Sequence, residues 1–272
     1  MRRKEKIKKG LADVYLLIVL MLLYLPIVAI IVFSFSGRSD FSFKDGFNFD
    51  SYKAIFNSGA QTETLLSAIK NTFILAISAS VISTILGSFS TIGIYYLNRK
   101  WRKATLTVNQ IPMINSEIVS AVSIMMFFSA FSFLFPQGMT RLIISHVAFC
   151  TPYVVLSILP RLQKMDPNLY EAALDLGANP FKALFKVVFP FILPGIISGF
   201  AMAFTLSLDD FIITQFNKGD TGIETLSTYI YEDARVKSLE PFWFAVFSII
   251  FVVMLTVLLL INIKKNTKKE AK

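Results

Sequence analysis

Long apolar segments alternate with short polar segments along the whole chain. Six apolar runs of about 20 residues are visible, at 14–35, 72–97, 114–135, 142–159, 191–211 and 242–263. A helix of about 20 residues crosses a bilayer core of roughly 30 Å, and the runs lack the period-two alternation of transmembrane β-strands. The pattern therefore predicts an all-α integral membrane protein with six transmembrane helices. The stretch at 104–113 either extends the third helix or lies in the membrane interface.

The composition agrees with this class. Of the 272 residues, 54% are hydrophobic and 27 are Phe, and the mean hydropathy is +0.61, which is too apolar for a soluble domain. The lone cysteine, Cys150, cannot form an internal disulfide, and the lone histidine, His146, lies in the same apolar run. We predict that both are packing residues, and we expect no metal site.

The basic residues are distributed unevenly about the six predicted spans. Nineteen of the 27 fall on one side: six before the first run, four at 99–103, four at 161–186 and five at 264–272. Because Lys and Arg concentrate in cytoplasmic segments, both termini and these segments are predicted to be cytoplasmic. The expected location is a bacterial cytoplasmic membrane, inner or plasma. This topology accounts for the net charge of +9 without a nucleic-acid partner.

The polar segment between the fourth and fifth runs has the signals of a helical hairpin. Asp166-Pro167 can supply an N-cap and a first helical residue, and Gly177 stands where a residue of positive φ would end that helix. Asn179-Pro180 repeats the start signal, and the second helix is predicted to run to Pro190. A polar hairpin of this length indicates contact with a partner in the aqueous phase.

The same segment has a long, positionally constrained motif: Glu-Ala-Ala, three residues, Gly, nine residues, then Ile-x-Leu-Pro. The matching residues are Glu171, Ala172, Ala173, Gly177 and Pro190, with Val187 and Phe189 at the Ile and Leu positions. This motif resembles the EAA loop of binding-protein-dependent ABC importers. The resemblance implies a type I ABC importer permease fold, in which the loop docks on an ATPase subunit and transmits its closure.

The resemblance also implies the partners of the chain. They are a homologous permease in a heterodimer, an ABC ATPase dimer, an extracellular or periplasmic substrate-binding protein, and membrane lipid. The sequence contains no G-x-x-x-x-G-K-[ST] motif. We therefore expect that the chain is a transport subunit without enzymatic activity or a cofactor of its own, and that the partner ATPase binds ATP and Mg.

Three regions are predicted along the chain. Residues 1–65 comprise a cytoplasmic tail, the first helix and an outer loop, in which 51–57 is expected to form a short amphipathic helix. Residues 66–263 form the five-helix permease core, with the coupling loop at 161–190. Residues 264–272 form a basic cytoplasmic tail.

Acidic residues within apolar runs mark candidate substrate positions, because each costs about 2.5–3.5 kcal/mol at a helix centre. The candidates are Glu117, Asp209 and Asp210, with Phe204 and Phe211 available for cation–π contacts. Adjacent helical residues point about 100° apart, so the two aspartates can face one point only if the helix breaks there. Two alternatives remain open: the aspartates end the span at the interface, or Glu117 serves packing or an interhelical hydrogen bond.

The stretch Ser207-Leu-Asp-Asp-Phe211 and the Tyr170-Glu171 pair resemble the permeases of spermidine/putrescine importers, the PotC-type family. This resemblance implies polyamine import, with Glu117 as a deeper site, although the family often has Pro where this chain has Ser116. Import of another substrate, such as Fe(III), thiamine or an organic anion, is an alternative. So is an ion-coupled secondary transporter or channel that uses the three acids as its path.

Overall fold

The computed structural model describes residues 2–36, 42–43, 46–57, 59–166, 168–237 and 240–270. Within these ranges the regular structure is helical, without any strand. The helices are α1 (Arg2–Phe33), α2 (Asp50–Phe56), α3 (Ala60–Tyr96), α4 (Arg99–Ile114), α5 (Glu117–Ala130), α6 (Met139–Gln163), α7 (Asn168–Asp175), α8 (Pro180–Ala183), a π-helical segment (Leu184–Val188), α9 (Phe189–Leu208), α10 (Ile212–Asn217), α11 (Leu226–Lys237) and α12 (Pro241–Glu270). The predicted all-α fold is confirmed.

The chain forms two compact units. The first contains Met1–Thr64 and Ile230–Lys272, and in it α1 and α2 both pack against α12. The Ser34 and Tyr52 hydroxyls lie 2.7 Å apart, and the buried Trp243 indole donates to Asp233 at 2.6 Å. Helix α2 confirms the short helix predicted at 51–57.

The second unit, Leu65–Tyr229, is built around α6 and α9. A Cβ added at Gly199 would lie 3.0 Å from Val154 Cγ1, and one at Gly195 would lie 3.2 Å from the Ile158 Cα. These two glycines, one turn apart, therefore let the backbones of α6 and α9 approach closely, as small residues do between membrane helices. The buried core lies along this contact and includes Cys150, Ile158, Leu162, Val188, Ile192 and Ala203.

Four helical segments in the described chain are long and apolar enough to cross a membrane: Asp13–Phe33, Gln61–Tyr96, Met139–Gln163 and Pro180–Leu208. They correspond to the first, second, fourth and fifth predicted spans. The sixth corresponds to α12, whose described apolar part is Pro241–Thr256. The bent pair α4–α5 gives up to one further span, so the count of six stays a prediction.

The third predicted span, 114–135, is shorter than predicted, and the stretch at 104–113 does not continue it as one straight helix. Helix α4 ends at Ile114, and α5 begins at Glu117 after a bend of 108° and ends at Ala130. The Ser116 hydroxyl accepts the Val119 N–H at 3.4 Å, so Ser116 acts as an N-cap that starts a new helix. An apolar run does not reveal a break of this kind, because its polar signal is only two residues long.

The predicted ends of the fifth span and of the hairpin are also wrong. The second hairpin helix does not stop at Pro190 but continues through the π-helical segment into α9, which ends at Leu208. A proline lacks an N–H and clashes with the carbonyl four residues earlier. The wider π turn, in which the Phe189 N–H bonds the Leu184 carbonyl, precedes Pro190 and accommodates it at the start of α9.

Candidate functional site

The break between α9 and α10 contains both predicted aspartates. Helix α9 ends at Leu208, and Asp209 has φ −98° and ψ 1°, outside the helical region. The Asp210 carboxylate then caps α10: Oδ1 accepts the Ile213 N–H at 3.2 Å, and Oδ2 accepts the Thr214 N–H at 2.8 Å. An aspartate before a short helix satisfies N–H groups that have no partner within that helix. The local sequence therefore produces the break.

The two aspartates have opposite surroundings. The Asp210 side chain is only 4% exposed, whereas Asp209 is exposed and its carboxylate has no hydrogen-bond partner among the described residues. The helix breaks at the two aspartates, which was the condition for both to face one point. Even so, their side chains do not share the same surroundings. Asp209 is available to a ligand, and Asp210 is occupied by the protein itself.

His146 lies fully buried beside Asp210. Its Nδ1 is 2.8 Å from the Ser207 hydroxyl, its Nε2 is 3.0 Å from the Thr214 hydroxyl, and Nε2 is 3.5 Å from Asp210 Oδ2. The residue is buried, as predicted, but it is more than a packing residue because both ring nitrogens are hydrogen-bonded. A lone histidine in an apolar run indicated burial and gave no sign of its partners.

Glu117 lies on a neighbouring helix. It is the first residue of α5, exposed, and without a hydrogen bond to any residue that the structure describes. Helix α5 packs against α10, and the Asn217 amide of α10 reaches the Ala121 carbonyl of α5 at 3.4 Å. A carboxylate in the first turn is stabilised by the positive end of the helix dipole. Its predicted contact with substrate stays a prediction.

The two predicted aromatic residues flank the break. Phe204 is half-buried on α9 and stacks on Phe200, with ring centroids 6.2 Å apart, and Phe211 follows the two aspartates and is half-buried too. Both rings lie close in sequence to the exposed carboxylate of Asp209. Their predicted cation–π role stays a prediction.

The coupling hairpin has the capping geometry that its sequence predicts. Asp166 Oδ1 accepts the Asn168 N–H at 3.0 Å, although Pro167, predicted as the first helical residue, lies outside the described residues. Gly177 has φ +83°, and the N–H groups of Gly177 and Ala178 bond the Leu174 and Ala173 carbonyls at 2.9 and 3.0 Å. This is a Schellman end. Asn179 caps the next helix through the Lys182 N–H at 2.8 Å.

The surface of the hairpin is unusually apolar for a polar segment. Leu176 is 89% exposed and Phe181 73% exposed, while Glu171 and Ala172 of the motif are exposed beside them. Tyr170 packs on Tyr96 at the end of α3, with ring centroids 5.7 Å apart. The hairpin is thus attached to a long membrane helix on one side and offers an apolar surface on the other.

The sequence analysis did not identify two features of the structure, the close packing of α9 on α6 and the hydrogen-bond partners of His146. The Gly195-x-x-x-Gly199 spacing in an apolar helix is a known signal for close helix packing and could have been found. The partners of His146 carry no such signal, because Ser207 and Thr214 are 61 and 68 residues away.

Comparison with known proteins shows the family of the chain. Residues 83–269 match the family model described as "Binding-protein-dependent transport system inner membrane component". The chain is 32% identical over 210 residues to the spermidine/putrescine transport system permease protein PotC of Haemophilus influenzae, covering 77% of this chain and 79% of that protein. It is 26% identical over 278 residues to a PotC homolog of Mycoplasma genitalium, covering 99% and 96%.

A solved structure shares the fold. The crystal structure of a bacterial ABC transporter involved in the import of the acidic polysaccharide alginate contains a chain that matches with a TM-score of 0.68 and 18% identity, covering 98% of this chain and 99% of that one. The all-helical fold and the capped coupling hairpin are consistent with the family match over 83–269. The chain belongs to the family of inner membrane components of binding-protein-dependent transport systems.

Proposed function

We propose that this chain is the membrane-spanning permease subunit of an ATP-driven importer of polyamines. The observation that carries the proposal is the exposed Asp209 carboxylate, which stands at a helix break in an otherwise apolar segment without a partner among the described residues. The relatives from Haemophilus influenzae, a spermidine/putrescine transport system permease, and from Mycoplasma genitalium, a homolog of that permease, support the same substrate class.

A linear polycation needs two kinds of contact along its path. Its ammonium groups need carboxylates, supplied by Asp209 and by Glu117 at the start of α5, while Asp210 adds negative charge at the same break. Its methylene spacers need apolar walls, supplied by Phe204 and Phe211. Near a protein surface, where the effective dielectric constant is about 20, two unit charges 4 Å apart attract by about 4 kcal/mol. A few such contacts suffice to favour an ammonium group over water.

The energy for transport comes from a partner ATPase dimer that binds ATP and Mg. Its docking surface is the coupling hairpin, where the exposed Leu176 and Phe181 lie next to Glu171 and Ala172. Closure of the ATPase moves the hairpin. The continuous helix from Pro180 to Leu208 carries that movement to the break at Asp209, and the Tyr170–Tyr96 contact carries it to α3. The chain itself catalyses no reaction. A homologous permease and an external binding protein complete the importer.

Both termini and the coupling hairpin face the cytoplasm of a bacterial cell, since 19 of the 27 basic residues fall on that side. A reporter that is active only in the cytoplasm should therefore be active when it is fused after Lys272, and inactive when it is inserted beside Asp220 in the segment between α10 and α11. Activity at Asp220, or none at the C-terminus, would contradict this orientation.

The substrate is tested by uptake into proteoliposomes that contain the assembled importer and its binding protein. Labelled spermidine or putrescine should accumulate only when ATP is inside with the ATPase. Thiamine and Fe(III) should neither accumulate nor compete. Accumulation of thiamine or iron without polyamine would assign a different substrate to the same family, and polyamine uptake driven by an ion gradient without ATP would contradict the importer itself.

A further inference from the structure

A buried chain of polar side chains connects α6 to the break that contains the two aspartates. It consists of His146 on α6, Ser207 on α9, Asp210 in the break and Thr214 on α10. All four lie in the same compact unit, and all are at most 4% exposed at the side chain or as whole residues. Buried polar groups in a helical membrane protein cost free energy unless they are paired. Their pairing here shows a built arrangement.

The donor and acceptor of each hydrogen bond in this chain can be assigned, and they run in one direction, from Ser207 to Asp210. The Thr214 hydroxyl donates its only hydrogen to Asp210 Oδ2 at 2.9 Å, so it must accept from His146 Nε2, which lies 3.0 Å away and therefore carries the ring hydrogen. The other nitrogen, Nδ1, then accepts from the Ser207 hydroxyl at 2.8 Å. Every hydrogen in the chain points toward the Asp210 carboxylate, which accepts the last of these bonds.

Asp210 is fixed at its backbone as well. The Ser227 hydroxyl, from the first turn of α11, donates to the Asp210 carbonyl at 2.7 Å, and the Asp210 carboxylate accepts two backbone N–H groups of α10. Helices α6, α10 and α11 thus meet at this one residue. Asp209, the preceding residue, is attached to none of them through its side chain.

We infer that His146, Ser207 and Thr214 are positioning residues: they anchor Asp210 as a structural carboxylate, so that the α9–α10 break presents Asp209 alone to the translocated cation. The inference deepens the proposed function and rests on it for the identity of the cation. It separates the aspartates into an anchor and a contact, although they are adjacent in sequence and carry the same charge.

Thr214 offers the sharpest test, because Thr214→Val keeps the shape of the side chain and removes its hydroxyl, while Thr214→Ser keeps the hydroxyl. Ser207→Ala is a milder second variant that removes the bond to Nδ1. Each is made in the full chain, assembled with the partner subunits. The first readout is independent of substrate: the reaction rate of Cys150 with N-ethylmaleimide, followed by mass spectrometry of its peptide.

Cys150 reports on the anchor because it is fully buried one turn after His146, with its Sγ 3.6 Å from the Ala203 carbonyl of α9. We expect Thr214→Val to raise its labelling rate at least tenfold, because α10, whose Ile213 packs in the same buried cluster as Cys150, is released from α6. Ser207→Ala should raise it less, because it removes only the bond between α9 and α6 and leaves the Thr214–His146 bond in place. Wild type and Thr214→Ser should stay protected. Protection of Cys150 in both Thr214→Val and Ser207→Ala would overturn the anchor.

The second readout is a double-mutant cycle on spermidine uptake. If the anchor acts through Asp209, Thr214→Val should slow uptake fivefold or more, and Thr214→Val with Asp209→Asn should be within twofold of Asp209→Asn alone. Thr214→Ser should restore uptake. If the double variant instead loses uptake by the product of the two single losses, the anchor supports only the fold, and the positioning role is overturned. Absence of polyamine uptake in wild type would refute the proposed substrate instead, and the Cys150 labelling rates would still decide the anchor.

Discussion

Replacing Asp209 with asparagine should slow spermidine and putrescine uptake tenfold or more. The exposed carboxylate has no hydrogen-bond partner among the described residues, so its removal deletes a charge without breaking a bond that the fold uses. The cost falls on the ligand, since an ammonium group loses an attraction of about 4 kcal/mol at 4 Å for an effective dielectric constant of 20, only part of which water recovers. Initial uptake rates at several polyamine concentrations measure the effect.

Two controls make this result specific. Asp220→Asn makes the same change in charge at another exposed aspartate eleven residues away, and it should leave uptake within twofold of wild type. Glu117→Gln tests the deeper position separately. The ATPase activity without substrate should be unchanged in all three variants, because the coupling hairpin is intact. Normal uptake by Asp209→Asn would mean that the break only ends a span, and the polyamine assignment would then rest on the relatives alone.

Replacing Gly177 with valine should uncouple transport from ATP hydrolysis. Gly177 has φ +83°, and an added Cβ would meet no atom within 4 Å, so the penalty comes entirely from the backbone conformation. A left-handed conformation costs an L-residue roughly 1–2 kcal/mol, and a β-branched one at least as much. A strain of this size lowers the population of the docking-competent hairpin by a factor of about 5–30. ATP-driven uptake should fall in proportion.

Gly177→Asn is the matched control, because asparagine tolerates the left-handed region better than other residues with a side chain. It should retain most of the uptake, whereas Gly177→Val loses it, with equal amounts of both proteins in the membrane. Co-purification of the ATPase shows whether docking itself is lost. Full uptake by the valine variant would contradict the role of the hairpin end in coupling.

Much of the fold followed from local patterns. The apolar runs predicted four of the long helices to within a few residues at most ends, because burying a helix in lipid requires a long apolar segment whatever its neighbours are. The hairpin caps at Asp166, Gly177 and Asn179 were predicted for the same reason: a cap satisfies backbone groups within a few residues of itself. The basic residues and the coupling motif predicted the class of transporter, and the family match confirms that class.

What failed were the ends and breaks of helices within the apolar runs. The bend at Asn115-Ser116 and the passage of the helix through Pro190 depend on how neighbouring helices and a π turn accommodate the backbone, and apolar composition carries no record of this. The predicted helix end at Pro190 applied a rule that holds for regular α-helices and not where the preceding turn is wider.

The difference between Asp209 and Asp210 was decided only by the tertiary structure. The sequence by itself determined that two acids stand at the end of an apolar helix, and that both can face one point only if the helix breaks. The buried carboxylate is that of Asp210, which lies 3.5 Å from His146 of α6, and His146 is in turn hydrogen-bonded to Ser207 of α9. A hydrogen bond depends on distance and direction in space, so partners some 60 residues apart leave no local pattern, whereas caps and apolar runs do.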